Sequence, residues 1–539
     1  MAAICSCFAA WSTWCTLGAV TIALVFIPTA LHFARKWLPR KFECLKIFYV
    51  WLGAFVVLGG TWAFFLPIAL NSGFNKNDDG PVLRQLLIYA TGGLLGAITL
   101  GETRRKNDQE HIRQVHAERR SRYAKAIEQL ADEKAPIRLG GVYTLVKLVD
   151  DWMDDEKTLP SKDKRRQEGQ IIIDSLCAYI RSSFPLAERH EELSSDYEDY
   201  KKKCQNNKIK IYIPQSYKNS IKDFSFGHKN SKYNNQPIQS REDFVRDKSL
   251  FQEEQEVRKT ILSEIKNRLN GGKVKNKEIT PGTWSYFEYN FSDAHFFYAV
   301  NFNNSYFGAS LNFLGATFTE NADVSNATFQ RADFPGAHFK DYADFTFATF
   351  QRADFSGAHF KDRAFFTNAT FATFQRADFS WAEFTKDANF FSAKFTNAKF
   401  SGAKFTGDAD FYWAKFTGDA DFYWAKFTKD AIFLLAEFTK GADFSWAKFT
   451  KGADFSWAKF TKKANFFEAT FEEKPIFERA LGDKTCKARF SCKADPEDYN
   501  FKVSLNSPCI IDTKEQEHNG VKFMIPKGTE LFDPDEPSE

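Results

Sequence analysis

The chain has 539 residues, 43% of them hydrophobic and 59 of them Phe, with a formal net charge of +4. That length allows several domains. The near-balanced charge gives no acidic, duplex-like surface of the kind a DNA mimic needs. Nine scattered Cys give no disulfide framework in the soluble part.

In chain order, three apolar stretches come first: about 11–34, 45–70 and 82–101. Each has the length of a bilayer span. The first lacks the basic n-region and cleavage site of a signal peptide, and Cys5 and Cys7 read as ordinary membrane-flank residues. Arg35, Lys36, Arg40, Lys41 and Lys46 lie between spans one and two. Asp78, Asp79 and only Lys76 lie between spans two and three, and Arg104, Arg105 and Lys106 follow span three. Basic loops stay cytoplasmic. The expected topology is a multi-pass protein of a bacterial cell membrane, N-terminus outside, everything after about Thr103 inside. His32, Lys46 and Arg84 sit near span ends, which argues against a transport path.

Residues 101–130 read as a polar helical stalk. Pro136 suits a helix start over Ala135–Asp151, with Leu139, Val142, Leu145, Val146 and Val149 inward and Gly140 and Gly141 permitting close packing. A further helix, Gln170–Ser182, carries Ile171, Ile172, Leu176 and Ile180 inward. Residues 188–239, rich in Lys, Asn and Ser, read as a polar insertion, partly a loop. Helical patterning resumes at Phe251–Ile265.

From about Phe291 to Phe477 a Phe recurs every five or six residues, usually with Ala two places before it. K-G-A-D-F-S-W-A-K-F-T occurs twice over Lys440–Thr461, and G-D-A-D-F-Y-W-A-K-F-T twice over Gly407–Thr428. Wound as a helix, these Ala and Phe positions fall into two opposed clusters. In extended chain they share one face, with the residue between them pointing out. A-T-F-Q-R-A-D-F begins at Ala327 and again at Ala348, so the block recurs once per turn. The extra residue of a six-step is expected at a corner, because within a face it would flip the inward set. Phe371 and Phe374 break the rhythm and predict a distorted turn.

Ala332-Asp333-Phe334-Pro335-Gly336 and Ala442-Asp443-Phe444-Ser445-Trp446 match A-(D/N)-(L/F)-x-x, and residues 284–479 resemble the pentapeptide-repeat family. The resemblance implies a right-handed, four-sided β-helix with Phe and Ala inside. A-I-E-Q-L-A-D-E-K-A-P-I-R-L-G-G-V-Y-T-L resembles the HEAT-like helical segment between membrane helices and pentapeptide repeats in actinobacterial membrane proteins of unassigned role. The expected fold class is therefore α+β multi-domain. It comprises a membrane domain (1–103), a helical stalk and helical domain (104–280), a quadrilateral β-helix (281–480) and a C-terminal tail or cap (481–539). Trp284, Tyr286, Phe287 and Tyr289 form the expected entry cap, and 472–478, with Pro475, the expected exit.

No phosphate loop, H-E-x-x-H, G-x-S-x-G or C-x-x-C occurs, so no catalytic residue, cofactor or metal is assigned. Cys486, Cys492 and Cys509 with His518 lack any familiar zinc spacing. His338 and His359 are expected as outward neighbours one turn apart. Asp before Phe, alternating with Lys, reads as a solvated, ion-paired wall. Trp381, Tyr412, Trp413, Tyr423, Trp424, Trp446 and Trp457 are either corner fillers or a partner-facing aromatic ladder. The function expected is a membrane-anchored cytoplasmic scaffold for protein–protein interaction. The lipid bilayer and a cytoplasmic protein are its partners; nucleic acid is not expected, and homo-oligomerisation stays open. The alternatives are a topoisomerase-protecting DNA mimic and a regulatory subunit of a membrane transporter or enzyme.

Overall fold

The computed structural model describes residues 14–15, 17–19, 21–23, 26, 47–70, 79–205, 240–272, 279–371, 377–482 and 484–536. They form two compact units, Met1–Arg119 and Arg120–Glu539.

In the first unit, the described residues between Trp14 and Phe26 are helical, and the rest of the first predicted span lies outside the described residues. So do 35–46 and 71–78, which hold most of the loop charges between the spans. Helix α1 (Ile47–Ala69) and helix α2 (Gly80–Leu130) are long and apolar enough to cross a membrane. The third predicted span and the predicted stalk are one continuous helix of 51 residues, because nothing between Leu100 and Lys106 breaks it. A Cβ at Gly59 of α1 would sit 2.5 Å from Thr91 Cγ2 of α2, so this glycine lets the two helices touch backbone to side chain.

The second unit begins with the last turns of α2, followed by α3 (Ala135–Met153) and α4 (Lys162–Arg181). A 3₁₀ turn (Pro185–Arg189), α5 (His190–Leu193), α6 (Tyr197–Gln205) and α7 (Arg241–Leu269) complete the helices. Ser161 and Ser240 cap α4 and α7, accepting hydrogen bonds from Lys164 N and Asp243 N. Val142, Leu145, Val146, Val149, Ile172, Leu176, Ile180, Val257, Ile261 and Ile265 make the core. Gly141 packs against Ala126 O and Leu130 N, whereas Gly140 faces open space. Ile171, expected inside, is 53% exposed and Ile173 is buried in its place; α4 packs on two sides and its inward stripe runs one residue further round. The start of the predicted polar insertion is ordered structure: Leu193 and Tyr200 are buried, and Tyr200 stacks on Phe244 at 4.9 Å. Residues 206–239 lie outside the described residues.

This helical bundle closes the entry of a β-solenoid. Trp284 Nε1 donates to Asp150 of α3 at 2.9 Å, and Gln170 of α4 bonds both backbone groups of Glu288. Trp284, Phe287 and Tyr289 are buried as expected, while Tyr286 is half exposed.

The solenoid consists of short parallel strands in four rows. The first and second rows share an 18-stranded sheet, the third is a 9-stranded sheet and the fourth an 8-stranded sheet. One circuit runs Thr349–Phe350, Ala353–Asp354, His359–Phe360, Ala364–Phe365 and back to Thr370–Phe371 beside its start. Apart from a register shift between Phe307 and Ser310, the repeat strands keep register, Phe on Phe and Ala on Ala, because a one-residue slip would turn every inward ring outward. Phe422 shows the packing. It is fully buried, stacks on Phe400 and Phe444 at 5.0 and 4.9 Å, and meets Phe411 and Phe433 edge-on at 5.4 Å. Each full Phe burial is worth roughly 2–3 kcal/mol, and each such ring pair about 0.5–1.5 kcal/mol more.

Turn length is absorbed at the corners. Thr396-Asn397 joins the first row to the second in one circuit, and Thr417-Gly418-Asp419 does so in the next. On either side of the irregularity at Phe371–Phe374, Thr370 pairs with Lys394 and Ala353 with Ala377; residues 372–376, where the distorted turn is expected, lie outside the described residues.

The expected exit at 472–478 is not the end. Arg489–Ser491, Tyr499–Asn500 and Glu530–Phe532 continue the 18-stranded sheet, and Phe490 stacks on Phe460 at 4.9 Å. Hairpins at 478–487 and 513–526 make the tail a cap, with Phe523 and Ile525 buried. A cap of this kind covers strand edges that would otherwise pair with other chains.

Candidate functional site

Two lines of turns run along the solenoid, one joining the second row to the third and one joining the fourth to the first. The turns are built from an inward Phe, two outward residues and an inward Ala, with Val324 and Ser305 standing in for Phe and Ala in two of them, and are closed by a backbone bond such as Ala447 N to Phe444 O at 3.1 Å. The second outward residue has positive φ. In the first line these are Asp293, Gly315, Gly336, Gly357, Trp381, Gly402, Trp424, Trp446 and Glu468; in the second, Asn304, Asn326, Phe347, Asn368, Ser392, Trp413, Leu435 and Trp457. These are type II turns, whose third position favours Gly or Asn.

The Asp or Asn before each Phe has a structural task. Asp443 Oδ1 accepts from Ser445 N at 2.9 Å, and Asp421 and Asp410 do the same for Tyr423 and Tyr412. They are Asx turns that pin the corner, a task beyond the expected ion-paired wall; the ion pairing itself is present at Asp378 with Lys399 at 3.8 Å, Asp333 with Arg331 at 2.6 Å and Asp454 with Arg479 at 3.2 Å. Burial raises the Asp410 carboxyl above its ordinary range, partly offset by that backbone bond. Lys399, Phe365 and Ile432 stand at the same register position and lack this cap.

The seven aromatic residues singled out by sequence do not form one strip. Trp381, Tyr423, Trp424 and Trp446 lie on the first line of turns, and Tyr412, Trp413 and Trp457 on the second. On the first line the three Trp are 61%, 48% and 47% exposed. Trp381 lies over Gly402, where a Cβ would come within 2.8 Å of its ring, and reaches Trp424 edge-on at 6.1 Å. Gly402 also has φ +68°. Gly402→Ala is therefore expected to cost about 1–2 kcal/mol and to lift the Trp381 ring, read as a change in Trp emission beside a lower denaturation midpoint.

The rows differ in charge. The second and fourth rows carry the capping Asp and Asn. The third row stacks His338 on His359 at 4.7 Å, then Glu383, Lys404, Lys426 and Lys448 in direct register. Burial, then the neighbouring His359 and Lys340, hold His338 below the usual imidazole range. His359 Nδ1 lies 3.3 Å from Glu383. Lys448 pairs with Glu472 at 2.9 Å; among the described residues no carboxylate reaches ion-pair distance of Lys404 or Lys426. In the first row Lys415 is neutralised by Glu437 at 3.0 Å, and the tail walls off a cleft beside Lys459. No three His, Cys, Asp or Glu side chains converge as a metal site among the described residues, so Cys486, Cys492, Cys509 and His518 are not brought together.

Two family models describing pentapeptide repeats match the chain, one over 400–445 and one over 320–362 and 386–407. No curated protein and no solved structure matches it.

Proposed function

The chain carries pentapeptide repeats, and on that premise we propose that it is a membrane-anchored interaction scaffold without catalysis, its right-handed, four-sided solenoid held in the cytoplasm of a bacterium. One observation carries the partner-binding reading. Bulky Trp stands at turn positions of positive φ where the same chain elsewhere uses Gly or Asn. A left-handed conformation costs an ordinary residue roughly 1–2 kcal/mol, and strain of this kind gathers at functional sites. Exposed Trp is also the residue most enriched where proteins bind one another. The anchor reading is supported by α1 and α2, whose apolar side chains Val56, Val57, Val82, Leu86, Tyr89 and Leu94 are exposed in stretches long enough to span a bilayer.

Proximity labelling from the C-terminus of the full-length protein tests this reading, comparing the parent with Trp381→Gly/Trp424→Gly/Trp446→Gly. Glycine fits the positive φ, so the variant keeps the fold. A reproducible set of cytoplasmic neighbours is expected to be lost; identical neighbour sets would overturn the scaffold. Release of the full chain from membranes by alkaline carbonate would overturn the anchor.

A further inference from the structure

From the ridge of Trp381, Trp424 and Trp446 and the lysine row beside it, we infer that the solenoid takes an acidic segment of a partner protein along the third row. The inference rests on the scaffold reading and names the chemistry of its partner. W-A-K occurs at Trp424–Lys426 and Trp446–Lys448: Trp sits on the corner, Ala points inward, and Lys opens the third row. Trp424 and Trp446 thus each have an exposed Lys two residues on, whereas Trp381 is followed by Glu383, which stands beside His359 at 3.3 Å; on the second line the same phrase leads to Lys415 and Lys459 of the first row.

Both choices work against folding. Trp occupies a position that Gly336, Gly357 and Gly402 fill without strain. Lys404, Lys426 and Lys448 lie directly opposite one another across parallel strands, about 4.8 Å apart, and like charges so placed destabilise a sheet. Thr317 and Thr470 fill the same row without that repulsion. Two independent, fold-opposing choices on adjacent positions point to something outside the chain that repays them.

The charges name its sign. On the second-row side of the ridge, Asp421 and Asp443 are engaged by their own turns: Asp421 holds Tyr423 N and Ser401 Oγ, and Asp443 holds Ser445 and Asn465. On the third-row side, Lys404 and Lys426 have no such partner. Unanswered charge on this surface is therefore positive, and its complement is a row of carboxylates flanking apolar side chains. A nucleic-acid strand also offers negative charge and stacks on Trp, but its phosphates would run beside Asp421 and Asp443. An acidic peptide, with charge on one edge only, fits better.

The test uses the full chain in nanodiscs and a labelled synthetic peptide alternating Glu with Leu and Trp, read by anisotropy. Controls are the same peptide with Gln for Glu, one with Lys for Glu, and an oligo-thymidine strand. The Glu peptide is expected to bind best and to weaken with added salt. Lys404→Thr/Lys426→Thr/Lys448→Thr, built from residues the row already uses, is expected to weaken it roughly tenfold or more. The triple Lys→Glu variant is expected to prefer the Lys peptide. Equal binding of Glu and Gln peptides, indifference to the Thr variant, tighter binding of oligo-thymidine, or self-association that alone responds to these variants would each overturn the inference. Loss of labelled neighbours in the Trp→Gly variant together with unchanged neighbours in the Lys→Thr variant would leave the scaffold standing and sink only the acidic partner.

Discussion

Phe422→Asp is expected to open the solenoid in its middle. The ring it replaces is fully buried and meets six others, two stacked, three edge-on and one tilted. Truncating such a Phe costs about 3–5 kcal/mol, and the carboxylate adds the penalty of a charge without a partner. Each circuit contacts only its neighbours, so stability is a chain of nearest-neighbour terms. The loss should be local: amides of the strands at 398–399, 420–421 and 442–443, paired in one row, should lose protection against hydrogen exchange, while the helical bundle keeps its own. A single, unshifted cooperative transition in this variant would contradict the inward packing.

Arg258→Ala should act at the other end. Arg258 of α7 is 2% exposed. Its Nε donates to Glu254 at 2.6 Å, Nη1 to Ile180 O at 2.7 Å and Nη2 to Ser182 O at 2.9 Å. The guanidinium also lies 5.5 Å over Phe297 in the first circuit. Removing it leaves Glu254 to Arg138 at 3.5 Å and the Tyr179 hydroxyl at 2.8 Å and frees two carbonyls at the end of α4. Breaking one partner of a buried pair costs about 3–5 kcal/mol. Exchange protection should fall in α4, α7 and around Phe297, and a denaturant melt should show an earlier transition. Arg258→Met with Glu254→Leu and Arg138→Met, which removes the three linked charges and keeps the volume, should recover part of the loss, the Tyr179 hydroxyl still lacking its acceptor. Equal instability of that triple variant would show that the charge cluster is not what the single change breaks.

The contrast between these sites shows what the sequence reveals by itself. Phe422 is legible because apolarity and period coincide: every fifth or sixth residue is the same large ring, and only a strand face accommodates that spacing. The corner location of the extra residue is equally readable, since the inward set survives it. Arg258 is not legible. It sits among charged residues in F-Q-E-E-Q-E-V-R-K-T and reads as solvent-facing until Tyr179, Phe184 and Phe297 close over it. The turn-capping task of Asp443 and its equivalents was missed for a related reason: charge suggests water, while the backbone two residues on uses the carboxylate. That signal was available, because the position accepts Asn as readily as Asp. The two lines of Trp were hidden by reading along the chain. Aligning circuit on circuit sets Trp381 and Trp424 on either side of Gly402 and exposes the left-handed position. The tail lost its rhythm after Phe477, and Phe490 and Phe501 alone gave no period to follow.

Register held on the faces while the corners take up spare residues has one more effect. Whole circuits can be copied or lost without disturbing those on either side, and each of the doubled segments Gly407–Thr428 and Lys440–Thr461 fills one circuit with two copies of an 11-residue half. Each added circuit, two such phrases long, advances the C-terminal cap by one interstrand step, about 4.8 Å. The protein is in this sense a ruler marked in coils, and the reach between its helical base and its far tip is a heritable length set by how many times one short phrase is written.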